Sequence, residues 1–225
     1  MTSTGRPSHT GAFRWTVVCV VAFVVAGALF GAWRFWAAGW LASNQASSTG
    51  RGFLSACAAN QAPAPATTPT LRVTGTPPSD GTTIGLITLP GSTTAWPIKA
   101  GTGSDALAAG VGWYTQTAAP GQLGNMAVVG RRLPSGGAFD AILSLSAGDQ
   151  IELQTCAVTY TYTVRIAPRD LTVQSADTWV LDPVPGAAAD LPTTAWLTLI
   201  ANLDVMGGPD RAVGFAELTD AVPRS

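Results

Sequence analysis

Three textures of hydrophobic and polar positions follow one another along the chain. From Trp15 to Trp33, nineteen residues carry no charge, bracketed by Arg14 and Arg34. As a helix at about 1.5 Å per residue such a run reaches roughly 28 Å, enough for a hydrocarbon core. Trp36 and Trp40 follow where interfacial aromatics collect. An uncleaved membrane anchor is preferred over a signal peptide, whose apolar core is typically only about 7–15 residues long. From Ala42 to about Gly81 the pattern dissolves into Ser, Thr, Ala, Pro and Gly, with Ala-Pro-Ala-Pro and Pro-Pro pairs. Such a segment buries too little apolar surface to offset its chain entropy, and it reads as a stiffened, disordered tether.

Beyond the tether, short runs dominate. Thr82 to Leu89 and Thr94 to Ile98 are β-rich and broken by Pro90 and Gly91. Asn125 to Val129 is apolar and ends at Gly130. Ile151 and Leu153 alternate with Glu152 and Gln154, and Tyr160, Tyr162, Val164 and Ile166 alternate with Thr161, Thr163 and Arg165. Period-two alternation marks strands with one buried face, so these runs predict a hairpin turning around Cys156 to Val158. Leu197 to Ala201 and Ala212 to Leu218 predict two more strands. Helical spacing is confined to Asp105–Ala109 and Phe139–Leu145. Many short strands with Gly- and Pro-rich turns predict an all-β closed barrel or a sandwich. The resulting organisation is a tail (1–14), a transmembrane helix with its interfacial segment (15–41), a tether (42–80) and one folded domain (81–220).

Charge narrows the partners. Asp80 is the first acidic residue, and from Leu71 onward eight Lys/Arg face thirteen Asp/Glu, a net of −5. Nucleic acid, which selects a basic face, is not an expected partner. Neither a metal-ligand spacing nor a P-loop or dinucleotide fingerprint occurs, so no cofactor is expected. Leu54-Ser-Ala-Cys57 has the form of a lipobox, but some twenty polar and small residues and Arg51 separate it from the hydrophobic run.

Two segments carry more. Gly124-Asn-Met-Ala-Val-Val-Gly-Arg-Arg132 and Trp196-Leu-Thr-Leu-Ile-Ala-Asn202, with Arg211 nine residues on, resemble the two catalytic strands of a sortase, the membrane-anchored cysteine transpeptidase of Gram-positive envelopes. Gly112-Trp-Tyr-Thr115, Pro120-Gly-Gln-Leu-Gly-Asn125, Gly137-Ala-Phe139, Gly148-Asp149, Tyr160-Thr-Tyr162 and Ala216-Glu-Leu218 extend the resemblance, in order, to class E sortases. It implies a sortase-like eight-stranded β-barrel with one or two short helices, preceded by a single N-terminal transmembrane helix. It also implies an inside N-terminus and a barrel on the extracytoplasmic side of the cell membrane, held through residues 15–33. The substrate groove would be floored by the strands carrying positions 131 and 202.

The family's chemistry is not reproduced. Where the first family segment has its proton-transferring His, this chain has Arg131; where the second has its nucleophilic Cys, it has Asn202, preceded by Ala201 in place of the common Thr. Only Arg211 matches the third catalytic group. Nucleophilic catalysis of this kind needs a thiolate beside a proton-transfer group. The single histidine, His9, precedes the apolar run, and Cys19, Cys57 and Cys156 match no nucleophile position. A hydroxyl substitute would lack a base, and Thr198 reads as an ordinary β-former. The expectation is a catalytically inactive sortase homologue that binds a sorting-signal protein, a cell-wall peptide or an active sortase. The alternative is a transpeptidase or hydrolase with altered chemistry in the same groove.

Arg131, Asn202 and Arg211 are the candidate ligand-binding residues. If the first and third converge, a guanidinium pair suits a carboxylate or phosphate, with Asn202 as a neutral donor. The plainer reading pairs Arg211 with Asp204 or Asp210. Arg131 would be costly at a buried barrel position without a neutralising group. Cys57 and Cys156, if both external, either form a disulfide closing a loop of about 100 residues or stay as two thiols. Leu191-Pro-Thr-Thr-Ala195 resembles a sorting signal by coincidence, without the hydrophobic tail and basic end that such signals need.

Overall fold

The computed structural model describes residues 10–59, 78–108, 110–132, 136–204 and 208–224, with side chains described from Cys19 and not across 34–39. The chain divides into two compact units, residues 1–38 and 39–225. Helix α1 runs from Thr10 to Ala59. In the first unit it presents Val20, Phe23, Val24, Leu29, Phe30 and Trp33 as exposed apolar side chains. Among the described residues no helix is long and apolar enough to cross a membrane; the side chains of residues 15–18, which open the charge-free run, lie outside them.

Among the described residues of the second unit nine strands follow: β1 (Thr83–Thr88), β2 (Trp96–Ala100), β3 (Val111–Trp113), β4 (Gly124–Gly130), β5 (Gln150–Gln154), β6 (Val158–Ile166), β7 (Thr172–Gln174), β8 (Ala195–Asn202) and β9 (Asp210–Pro223). Eight of them form a ring, β6-β5-β1-β2-β3-β4-β8-β9, closed by the β6–β9 pairing. Closure removes the sheet edges that a sandwich would expose. The ninth, β7, pairs with the start of β9, Gln174 opposite Asp210, outside that ring. β2–β3 and β4–β8 are parallel, so each requires a crossover connection. Helix α2 (Ser104–Ala108) lies in the first crossover, in place of the expected Asp105–Ala109. The Phe139–Leu145 helix is a short 3-10 turn at Asp140–Ser144.

The barrel interior is filled by Ile98, Val128, Phe139, Ile151, Leu153, Tyr162, Leu197, Leu199 and their neighbours. A second apolar cluster, Val173, Val180, Ile200, Val213 and Phe215, lies beneath β7 and a 3-10 turn at Trp179–Leu181. Strand β8 therefore feeds both clusters, Leu197 and Leu199 to one and Ile200 to the other. Double coverage explains its near-continuous apolar run, in contrast to the alternating β5 and β6.

The tether expected from Ala42 to residue 80 is not disordered throughout: it is helical as far as Ala59, while 60–77 lie outside the described residues. Ala42, Ala46 and Gly50 recur every four residues along one helical stripe. Ala46 is fully buried in the barrel core cluster, with Ala42 packed against it. A Cβ on Gly50 would sit 3.5 Å from Leu86 Cδ2. Small side chains let the helix approach β1 closely, a kind of burial that composition alone does not reveal. Cys57, in the last turn of α1, is joined to Cys156 in the β5–β6 turn, 99 residues away, with Cα atoms 5.0 Å apart.

Candidate functional site

The parallel pairing of β4 with β8 sets Gly130 beside Ala201, which carries Arg131 to the level of Asn202. Across the β8–β9 ladder Asn202 lies opposite Arg211. The three positions thus lie side by side at the ends of adjoining strands, with the outer two separated by two strand spacings, about 10 Å. They also share a face. Met126 and Val128 of β4 point into the core, as do Leu197, Leu199 and Ala201 of β8. Alternation turns the odd positions of β4 and the even positions of β8 outward, toward the cluster that holds Ile200 and Val213.

Arg131 is exposed and donates from Nη2 to the Ser104 carbonyl, 3.5 Å away on α2. The buried, uncompensated cation considered from sequence does not arise at this position. Arg132 occupies the more enclosed place. Its Nη1 donates to the carbonyl oxygens of Asn202 (3.1 Å) and Leu203, while its Nε is buried without a hydrogen-bond partner among the described residues. This guanidinium binds the last carbonyl of β8 and the one that follows it, and fixes the backbone that presents Asn202. The alternation that carries Met126, Val128 and Gly130 inward could have indicated it from sequence.

Arg211 donates from Nη1 to the carbonyls of Gly208 and Asp210. The Asp210 carboxylate instead accepts from Gln174 Nε2, so the Arg211–Asp210 contact is made through the backbone and not as an ion pair. Beside Arg211 lies a recess of about 70 Å³ lined by Tyr114, Val173, Gln174, Thr178, Val180 and Ile200. Burial raises the pKa of the Tyr114 phenol, and the positive charge of Arg211 partly offsets that rise. On the far side of the Trp179–Leu181 turn is an apolar groove of about 430 Å³ lined by Ile166, Leu171, Trp179, Val184, Trp196 and Phe215.

Thr198 is more than a β-former. It is fully buried and its Oγ1 donates to Asn125 Oδ1 at 2.6 Å. Asn125 Nδ2 in turn donates to the carbonyls of Val180 (2.8 Å) and Asp182 (3.1 Å). This network ties the segment between β7 and β8 across the strands and shapes the wall of the recess.

Among the described residues neither a thiol nor an imidazole stands at positions 131, 202 or 211. Cys57 and Cys156 are bonded to each other and Cys19, a free thiol, lies in the first unit; His9 lies outside the described residues. Among the described residues no group of three or more His, Cys, Asp or Glu could hold a metal ion.

The sortase domain model matches residues 87–219. Among solved structures, the SrtA sortase from Actinomyces oris is 29% identical, with 68% of this chain and 91% of that chain covered and a TM-score of 0.60. Sortase E from Streptomyces avermitilis is 30% identical over 65% of this chain and 93% of that one, with a TM-score of 0.57. Sortase E1 from Streptomyces coelicolor, solved with a tripeptide in its active site, is 26% identical over 64% and 92%, also at 0.57. No curated protein matches the chain.

Proposed function

We propose that this chain, which belongs to the sortase family, is a membrane-anchored binding protein of the cell envelope that holds a peptide in the sortase groove without transferring it. The observation that carries this reading is the replacement of two chemical groups at adjacent strand ends, Arg131 for the His and Asn202 for the Cys. Asn202 offers an amide, which neither attacks a carbonyl nor leaves as a thiolate. Arg131 presents N–H donors and no acceptor, so it offers no site to take up a proton as the family imidazole does. What the site offers instead is positive charge and neutral hydrogen-bond donors.

Arg131 and Arg211 flank Asn202 on one outward face, so an anionic group of the ligand can lie between them. Each charge-assisted contact contributes about 1.5–3 kcal/mol when shielded from water. The recess beside Arg211 takes a small side chain, and the tripeptide in the active site of the Streptomyces coelicolor relative supports a peptide as the occupant. The charge-free run from Trp15 to Trp33 supports anchoring in the cytoplasmic membrane, and a barrel on the outer side rests on membership of the sortase family.

Incubation of the detergent-solubilised chain with a sorting-signal peptide and an amine nucleophile tests the loss of transfer. The expected result is peptide recovered intact at the level of a protein-free control. Cleavage or amine adduct above that control, abolished by Arg211→Ala, would show altered chemistry in the groove and overturn the reading.

A further inference from the structure

We propose that the Cys57–Cys156 disulfide is a switch that decides whether residues 42–59 form a docked helix of the barrel unit or free chain. The bond ties the last turn of α1 to the turn between β5 and β6. Between Ala42 and that bond, the helix rests on the barrel through Ala42, Ala46 and Gly50. Such small groups remove little apolar surface from water. Phe53 and Leu54 are only partly buried.

The segment is also a poor helix in its own right. It contains Gly50 and Gly52, and its serines engage the backbone: Ser43, Ser47, Ser48 and Ser55 donate to carbonyls three or four residues back. Both features weaken helices. No basic residue occupies the last turn to complement its carbonyls. Weak propensity and a small interface leave the covalent link as the dominant constraint.

Cys156 is exposed and Cys57 is partly buried, so the bond is open to a small dithiol. The thiolate of the dithiol attacks one sulfur, the S–S bond breaks, and the second thiol of the reagent resolves the mixed disulfide. Two electrons pass from the reagent, which ends as its own disulfide, and Cys57 and Cys156 take up protons as thiols. Once released, 42–59 returns to the tether that its composition describes, and the barrel gains reach. The switch concerns how the barrel is mounted and is independent of what the groove holds.

Hydrogen–deuterium exchange of the full chain in detergent, before and after treatment with a dithiol, tests the proposal. Alkylation and intact mass count the free thiols, one in the oxidised chain and three in the reduced. Amides within 42–59 are expected to exchange at least about tenfold faster after reduction, with β4 and β8 unchanged, as for a local opening. Cys156→Ser should reproduce that pattern without reductant. Equal protection of 42–59 in both states would overturn the switch, as would equal loss of protection in β4 and β8, or three alkylatable thiols in the untreated chain.

Discussion

At the scale of single residues, the buried polar groups of the barrel make the sharpest predictions. Thr198→Val keeps the shape of the side chain but removes the donor to Asn125 Oδ1. An unsatisfied buried acceptor costs about 1–3 kcal/mol, and that loss is expected in the denaturant midpoint of the barrel. Tyr162 makes a pH-dependent prediction. Burial chiefly, with a smaller push from Tyr160, raises its phenol pKa well above the ordinary value, although the Gly121 N–H bond at 3.1 Å lowers it somewhat. The folded state holds this proton more tightly than the unfolded state. Its contribution to stability is therefore complete below the usual phenol pKa of about 10 and declines as pH rises above it. In Tyr162→Phe the alkaline fall in stability should be shallower than in the parent, measured by urea titration from pH 9 upward. Of these two, only Tyr162 was prefigured by the sequence pattern, as an inward residue of an alternating strand. The partner of Thr198 lies 73 residues away, a distance that local patterning cannot bridge.

Elements were legible where their environment imposes a period. β5 and β6 alternate because one face is covered, and β4 and β8 read as apolar runs because both faces are. β3 and β7 were missed as strands because each has only three residues, too few to establish any period. The site followed the same division. Positions 131, 202 and 211 could be read as neighbours because the flanking strands preserve the family's frame, whereas Arg132 was passed over although β4's own alternation sends it inward. Gly130, between the apolar run and the two arginines, tests how tightly that strand is held. A Cβ there would come within 2.5 Å of the Phe139 ring. Gly130→Ala is expected to cost about 1–3 kcal/mol through overpacking. Thermal unfolding checks the loss, with wild-type stability as the contrary result.

For the whole molecule, the sequence divides anchor, tether and barrel, and the structure redraws the middle boundary. The residues from Ala42 to Ala59 look like linker because Ser, Thr, Ala and Gly dominate them, yet they are helical and partly packed on β1. Their burial depends on small side chains and on a bond to a cysteine in a distant turn, and neither leaves a periodic trace. The resulting barrel unit brings three strand ends together so that two cations flank one amide. Titration calorimetry tests binding there most directly, using the full chain in detergent and an envelope peptide that bears a carboxylate. Heat of binding should weaken as salt rises, because exposed charges are screened. Affinity should fall at least about tenfold in Arg131→Ala and in Arg211→Ala, the loss of a charge-assisted contact worth roughly 1.5 kcal/mol or more. Affinity unchanged in both variants would contradict a groove that holds its ligand through these arginines.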